Sequence, residues 1–188
     1  MKFKLFVTGL VVMCNACIAF ADVRVNYTIE YYDVTGSTIS EIGYEFKQKG
    51  PVGHNTGRRH AATTVVRTSV SVVSSSTYCK PSDFIIDLHI RQIFPNWINR
   101  HQGSSSLQRK WDEWIKAVVD HENVHRDEAV MVINEYYNTL RNISSWNCYN
   151  MQEQAMTELK KSLNKLYEYD RITDHGRNNG TQIGRAHV

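Results

Sequence analysis

The sequence predicts a single α+β domain, in which a small, mostly antiparallel sheet packs on a long helix and a following antiparallel helix. Segments with alternating or β-branched residues fill the first half of the chain, and segments with apolar residues at helical spacing fill the second half. Strands that precede the helices favour an α+β arrangement, because strands and helices alternate in α/β proteins. The chain of 188 residues is long enough for one well-cored domain.

Three segments have the pattern of strands. Val25–Tyr31 and Phe84–Arg91 alternate apolar and polar residues, as half-buried strands do. Thr63–Val73 is rich in β-branched residues, which favour extended backbone. Pro95–Trp97 then predicts a turn after the third strand.

Three segments have the pattern of helices. The first is short and covers Ser37–Lys49, where Thr38 and Glu41 are spaced as a capping box and Gly50-Pro51 ends the helix. A long helix is predicted from about Leu107 to Asn142, and a further helix from about Met151 to Tyr169. The tail from Gly176 is expected to be irregular.

The N-terminus has the features of a secretory leader. Lys2 and Lys4 precede the apolar run Leu5–Phe20, and Ala19-Phe20-Ala21 is a small-x-small cleavage site. We therefore expect residues 1–21 to be removed, which leaves residues 22–188 as one periplasmic or secreted domain without an integral membrane span. A retained N-terminal anchor is the alternative.

Charge and cysteine usage narrow the class of protein further. The formal net charge is only +3, which gives no indication of a nucleic-acid-binding surface. Of the four cysteines, Cys14 and Cys17 lie in the leader, and Cys79 and Cys148 remain. In an oxidising compartment an isolated pair most simply forms one disulfide, so we expect Cys79 to pair with Cys148.

The stretch His121-Glu122-Asn123-Val124-His125 reads H-E-x-x-H within the long predicted helix. On a helix the positions i and i+4 lie on the same face, so both imidazoles can bind one Zn²⁺ at about 2.0–2.1 Å. Glu122 follows the first ligand directly, where its carboxylate can take a proton from a water that the metal activates. The motif therefore predicts two metal ligands, His121 and His125, and a catalytic general base, Glu122.

The surroundings of the motif favour a metal site over two ordinary core histidines. The motif lies on the apolar stripe of the helix, where polar side chains without partners are costly. The apolar residues of this stripe are Trp111, Trp114, Ile115, Val118, Ala129, Val132, Ile133, Tyr136 and Leu140. One departure is Arg126, which stands where zinc peptidases usually carry an uncharged residue.

A catalytic zinc needs a third protein ligand, which the sequence places near the C-terminus. His175 is the leading candidate, because it follows a helix that returns antiparallel to the motif helix. Asp170 and Glu168 are the alternatives, since carboxylates also complete such sites. Asp170 could instead orient a ligand from outside the metal's coordination sphere, and Tyr169 could donate a hydrogen bond to a developing oxyanion.

Several segments together resemble a bacterial family of predicted secreted Zn-dependent proteases, long described as a domain of unknown function. The matching residues are Tyr31 to Thr38, Gly50-Pro51, Ala61-Ala62-Thr63, Cys79, Pro95, Trp97, His121-Glu122-x-x-His125, Ala129 and Tyr169-Asp170-x-x-Thr173-x-His175-Gly176. The resemblance implies that His121 and His125 are ligands, that Glu122 is the catalytic acid/base, and that the ending supplies the third ligand. It also implies a zincin-like fold.

The predicted function is a zinc metallopeptidase with one Zn²⁺ per chain, acting on a peptide or protein substrate that one of the long strands could hold by β-augmentation. Two alternatives remain open. One is a zinc amidase that acts on cell-wall peptides. The other is a non-catalytic secreted binding module, in which four protein ligands enclose a structural zinc. The sequence does not predict the oligomeric state.

Overall fold

The computed structural model describes residues 23–53, 57–72, 78–79, 83–141, 146–164, 166–173, 176, 178 and 180–181. The predicted leader and its cleavage site lie outside these residues, as does His175. None of the helices in the described part of the chain combines the length and the apolar character that crossing a bilayer requires.

The described residues confirm the α+β class. Five strands and four helices follow one another in the order β1 (Val23–Val34), α1 (Ile39–Lys49), β2 (Thr63–Val72), β3 (Tyr78–Cys79), β4 (Phe84–Trp97), α2 (Ser105–Arg141), β5 (Trp146–Asn147), α3 (Cys148–Leu163) and α4 (Leu166–Ile172). A single 3₁₀ turn, Arg100–Gln102, precedes α2.

The main sheet is three-stranded, with the order β1-β4-β2. It is mixed, whereas the sequence indicated a mostly antiparallel sheet. β2 runs antiparallel to β4, and β1 runs parallel to β4 from Val23 opposite Ile86 to Val34 opposite Trp97. The helices cover one face of this sheet, because the inward residues Ile86, Leu88 and Ile90 share a core with α2 and α3.

The turn predicted at Pro95 is wrong, since β4 continues through Pro95 and ends at Trp97. Proline interrupts a ladder because it has no N–H to donate. The first residue of β2, Thr63, lies opposite Ile93, so β4 has only β1 as a neighbour from that point onward. The missing donor can therefore face the unpaired side of β4 without loss of a ladder hydrogen bond.

Helix α1 begins as the capping pattern predicts. The Thr38 hydroxyl accepts a hydrogen bond from the Glu41 backbone N–H at 3.2 Å. The Glu41 carboxylate in turn accepts from the Ser37 backbone N–H at 2.6 Å. The first bond satisfies a donor that the helix N-terminus leaves unpaired, and the second holds the preceding residue against the first turn, so together they fix where the helix starts.

Helix α2 contributes to two separate hydrophobic clusters, and the metal-site motif lies between them. Its first half packs Trp111 and Trp114 with Phe46 of α1 and the end of β4. Its second half packs Ile133, among others, against β4 and α3. Because both halves are anchored by buried side chains, the middle of the helix has little freedom to move relative to the sheet.

The helix predicted over Met151–Tyr169 is two helices in the structure, α3 and α4, which are separated after Asn164. The Asn164 backbone N–H still bonds to the Lys160 carbonyl at 3.2 Å, which makes this residue the end of the first helical segment. Asparagine ends helices readily, because its side chain competes for backbone hydrogen bonds. The break allows α4 to take its own direction and to contact α2.

Candidate metal centre

Helix α2 directs the two motif histidines at a common point. Their Nε2 atoms lie 3.2 Å apart, and their rings meet edge to face with centroids 4.8 Å apart. His121 is buried, with only 6% of its surface exposed. The i, i+4 spacing therefore has the consequence predicted from the sequence, namely two imidazole nitrogens on one side of the helix.

Asp170 of α4 completes a triangle with these nitrogens. Its Oδ1 atom lies 3.1 Å from the Nε2 of His125 and 3.4 Å from the Nε2 of His121. Tetrahedral zinc with ligands at about 2.0–2.1 Å would hold ligand atoms about 3.3–3.4 Å from one another. The three edges of 3.1, 3.2 and 3.4 Å fit such an ion. Within the described residues this is the one group of three metal-binding side chains.

The structure thus places one of the two alternative carboxylates at the site. Glu168 instead is exposed and accepts a hydrogen bond from the Arg171 guanidinium at 2.8 Å. The leading candidate, His175, lies outside the described residues, so its role as a ligand stays a prediction. Asp170 is the third metal-binding group that the described structure supplies.

Tyr169 packs on both histidines. Its ring stacks on His121 at a centroid distance of 5.1 Å and meets His125 edge to face at 5.2 Å. A flat ring against both imidazoles restricts their rotation and keeps the two Nε2 atoms convergent. The tyrosine singled out in the sequence therefore contacts both candidate ligands.

The chain after α4 turns tightly against His121. The Gly176 backbone N–H donates to the buried Thr173 hydroxyl at 3.2 Å. Gly176 has φ 79°, and a β-carbon there would lie 2.6 Å from the Thr181 hydroxyl and 3.1 Å from the Nδ1 atom of His121. Only glycine adopts this backbone so close to the imidazole, which explains the Gly that ends the Tyr-Asp-x-x-Thr-x-His-Gly pattern.

Glu122 is buried beside the triangle and is held by the sheet. The Thr64 hydroxyl of β2 donates to its Oε2 atom at 2.7 Å. Gln92 of β4 donates from Nε2 to the Glu122 backbone carbonyl at 2.7 Å, and the Tyr27 hydroxyl donates to the Oε1 atom of Gln92. A chain of hydrogen bonds across three strands thus fixes both the backbone and the carboxylate of Glu122.

Sequence reasoning missed Thr64 and Gln92 as members of the site. A signal for Gln92 exists, because it continues the inward series Ile86, Leu88 and Ile90 and is itself fully buried. A polar residue at an inward position of an apolar strand needs a partner, which here is Glu122. Thr64 has no such signal, since threonine is common in strands.

Burial and neighbouring charges shift the acidity of the site. Burial raises the pKa of the Glu122 carboxyl, although the Thr64 hydroxyl and the nearby histidines act in the opposite direction. For His125, burial lowers the pKa, but the hydrogen bond and charge of Asp170 outweigh it, and the net pKa is raised. In the absence of a metal, His125 therefore holds its proton to a higher pH than an exposed histidine does.

Comparison with known families identifies the chain. The model of a family described as bacterial protein of unknown function (DUF922) matches residues 29–176, which is more than three quarters of the sequence. The chain belongs to the DUF922 family. No curated protein and no solved structure gives a significant match to it.

The DUF922 region contains the whole site, from Thr64 and Gln92 through the His-Glu-x-x-His motif to Gly176. It also contains Arg126, whose guanidinium forms an ion pair with Asp127 at 2.7 Å and lies 5.8 Å from the ring centre of Tyr27. The unusual arginine after the second histidine is therefore engaged with side chains other than the metal-binding ones.

The predicted disulfide of this DUF922 protein involves side chains outside the described part of the structure. The backbone brings the two segments together, because β3 and β5 pair antiparallel with Cys79 opposite Trp146. Cys148 follows two residues after Trp146. The pairing of Cys79 with Cys148 stays a prediction.

Proposed function

We propose that this DUF922 protein is a secreted zinc metallopeptidase that hydrolyses peptide bonds with Glu122 as the general base. The observation that carries the proposal is the convergence of His121, His125 and Asp170 at tetrahedral spacing. A buried carboxylate that interacts electrostatically with all three groups lies beside them. A purely structural metal site needs no such carboxylate.

The ligand set fits a catalytic rather than a structural zinc. Catalytic sites use three ligands from the protein, often histidines with a carboxylate, and leave one position for water or substrate. When bound, the zinc ion supplies a Lewis acid and lowers the pKa of its water to about 7. Two imidazoles and one carboxylate are ligands of this kind. If His175 were a fourth ligand, it would close the site, and this would favour the binding-module alternative.

Glu122 has the surroundings that a general base requires. The Thr64 hydroxyl occupies its Oε2 atom, which leaves Oε1 to accept a proton from water and to pass it to the leaving amine. Because burial raises the pKa of this carboxyl, its basicity is greater than that of an exposed glutamate and closer to the working range of an acid/base catalyst near neutral pH.

The outer edge of β2 is a suitable place for an extended peptide. Within the described chain β4 is the only strand that pairs with β2, so β2 forms an edge of the sheet alongside which an extended peptide could lie. Thr64 lies on this strand and contacts Glu122 directly. A peptide added alongside β2 would therefore pass near the general base, with main-chain hydrogen bonds that read backbone rather than side chains.

The proposal is tested with protein expressed with its own leader, loaded with zinc and offered both proteins and peptidoglycan fragments. Glu122→Gln should retain the zinc of the unmodified protein and lose about 10²- to 10⁴-fold in turnover, the usual contribution of a general acid/base. Glu113→Gln, which changes an exposed glutamate on the same helix, is the matched control and should leave turnover unchanged.

Each outcome distinguishes the alternatives. Undiminished turnover in Glu122→Gln would refute the role of Glu122. Hydrolysis of peptidoglycan fragments but not of proteins would favour the cell-wall amidase. Absence of any hydrolysis, together with four protein ligands in X-ray absorption spectra of the zinc-loaded protein, would favour a binding module with a structural zinc.

A further inference from the structure

Strand β1 presents a long open edge. It has 12 residues and lies at one side of the sheet, where it pairs with β4 and with no other strand of the described chain. Proteins usually protect such edges with short strands, proline, charged side chains or a covering helix or loop. Val23–Val34 is neither short nor interrupted by proline, and two of its charged residues, Arg24 and Glu30, could pair with opposite charges of a second strand.

The side chains of β1 also expose apolar surface. Tyr27, Ile29 and Tyr31 occupy alternate positions, so they lie on one face of the strand, and they are 37%, 46% and 67% exposed. This is the face that α2 covers elsewhere, because Tyr27 pairs with the buried Ile90 of β4. The covering helix thus leaves an apolar strip uncovered along the open edge.

Two charged residues of β1 would face opposite charges if two copies of the strand paired antiparallel. Around Tyr27, Arg24 and Glu30 are equally spaced, and both are exposed on the outer face of the sheet. In an antiparallel pair centred on Tyr27, the Arg24 of each copy would therefore lie opposite the Glu30 of the other. The remaining partners would be Val23 with Tyr31, Val25 with Ile29, and Asn26 with Thr28.

We propose that two copies of this chain associate through their β1 edges, antiparallel about a twofold axis at Tyr27, and form one continuous six-stranded sheet. The twofold axis makes every contact occur twice, so two Arg24–Glu30 pairs form. Opposite charges directly across a strand pair are stabilising, and like charges are destabilising. Glu30 already lies 3.3 Å from Arg91 of its own β4, which positions its carboxylate on the outer face.

The charges select this register over its neighbours. A slip that moves the centre to Thr28 places Arg24 opposite Tyr32, and one that moves it to Asn26 places Arg24 opposite Thr28. Both leave the charges without opposite partners. If the twofold axis lay between two residues of β1, apolar side chains would lie opposite polar ones. Half of the apolar side chains would then lie on the wrong face of the sheet.

The helices leave room for this association. Helix α2 crosses the sheet and contacts all three strands, and near its middle the Glu122 backbone carbonyl accepts a hydrogen bond from Gln92 of β4. Two β4 strands separated by two β1 strands would be three strand spacings, or about 14 Å, apart. A helix with its side chains is about 10–12 Å wide. At the level of Glu122 the two α2 helices would therefore lie side by side, above the paired β1 strands.

The test is the molar mass in solution of the protein expressed with its own leader, measured by sedimentation velocity over a range of concentrations. The unmodified protein should dimerise. Arg24→Glu and Glu30→Arg should each raise the dimer dissociation constant by about tenfold or more, since each replaces two attractive pairs by two repulsive ones. The double variant restores opposite charges across the interface and should return the constant towards that of the unmodified protein.

Arg67→Glu is the matched control, because Arg67 is an exposed arginine on the outer face of β2, at the other side of the sheet. It should leave dimerisation unchanged, and thermal unfolding should show that all variants are folded. A monomer at every concentration, failure of the double variant to recover, or an equal effect of Arg67→Glu would overturn the proposal. A monomer whose β1 variants lose binding of an extended peptide would assign this edge to a different partner.

Discussion

Replacement of Asp170 by asparagine tests whether α4 supplies the third ligand. Asparagine keeps the size of the side chain and removes its charge. The Oδ1 atom of Asp170 lies within 3.1–3.4 Å of both histidine nitrogens, so a zinc ion bound by the histidines would contact this oxygen directly. Substitutions of residues that only support a ligand already cost about 10- to 100-fold in metal affinity. We therefore expect Asp170→Asn to weaken zinc binding at least about 100-fold.

This loss translates into a measurable change in stability. At a free zinc concentration 100 times its dissociation constant, a ligand that binds only the folded state stabilises it by about 2.7 kcal/mol. After a 100-fold loss the same concentration equals the new constant, and the stabilisation falls to about 0.4 kcal/mol. For a domain of this size 1 kcal/mol shifts the melting temperature by about 2–4 °C, so the zinc-induced shift should fall from about 5–11 °C to about 1–2 °C.

The assay is thermal unfolding in zinc-buffered solution, with metal content measured on the same samples. Glu168→Gln is the matched control, because Glu168 is a carboxylate on the same short helix that pairs with Arg171. It should behave as the unmodified protein. If Asp170→Asn retains the full zinc-induced shift while His175→Ala loses it, the reasoning from the ligand triangle is refuted and His175 is the ligand.

Three further predictions concern the support of Glu122, the pH dependence of stability and the disulfide. Thr64→Val should lower kcat about 10- to 100-fold with zinc content unchanged, because a hydrogen bond to a charged group contributes about 1.5–3 kcal/mol. Thr64→Ser keeps the hydroxyl and should retain most activity. Equal rates in both variants would contradict the role of Thr64 in holding the Glu122 carboxylate. Without metal, the pKa values of His125 and Glu122 are raised in the folded protein, so both groups bind protons more tightly there than in the unfolded chain. Their contribution to stability is therefore present at low pH and is lost as the pH rises. For His125 this loss begins near the usual pKa of 6.5 and ends at the raised pKa of the folded state. Chemical denaturation of metal-free protein should therefore show a free energy of unfolding that falls across that range. Stabilisation by zinc should instead increase with pH, because the ligands release protons when they bind the metal. A flat metal-free profile would argue against the raised pKa of His125. Thiol titration of denatured, unreduced secreted protein should find no free thiol from Cys79 and Cys148, and two free thiols would exclude the disulfide.

The motif helix could be predicted well from the sequence. The prediction of Leu107–Asn142 is within two residues of the observed Ser105–Arg141 at each end. Its apolar stripe is a local signal that repeats over many turns, and no competing pattern interrupts it. The convergence of His121 and His125 follows from helix geometry alone, so it needs no knowledge of the tertiary fold.

The third ligand could not be chosen from the sequence, because it depends on how α4 docks. Asp170 and His175 are five residues apart, and either can reach α2 if the preceding helix takes a suitable direction. The break after Asn164 sets that direction. The apolar periodicity of the sequence continues through this point, so no local pattern indicated the break. A choice between the two residues depends on the position of α4 and the following chain relative to α2, which is a property of packing rather than of local pattern.

The hydrogen-bonded support of Glu122 was inaccessible for a related reason. Thr64 and Gln92 are separated from Glu122 by 58 and 30 residues, and they meet it only after the sheet has formed beneath α2. Pro95 is the opposite case. Proline is a strong local signal for a turn, but β4 continues through it because the neighbouring strand β2 does not extend beyond the position opposite Ile93. Contacts between distant segments decide both cases.

The break between α3 and α4 would give a bound metal ion a role in the order of assembly. Both histidines are carried by a helix that two hydrophobic clusters anchor, so they are in place as soon as the core has formed. Asp170 is carried by a helix of seven residues, which is too short to persist without external contacts. An ion bridging the two helices would close a loop of 45 residues between His125 and Asp170 and hold the C-terminal turn against His121. Amide hydrogens of α4 should thus exchange slowly only when zinc is present, which makes this short helix a built-in reporter of metal occupancy.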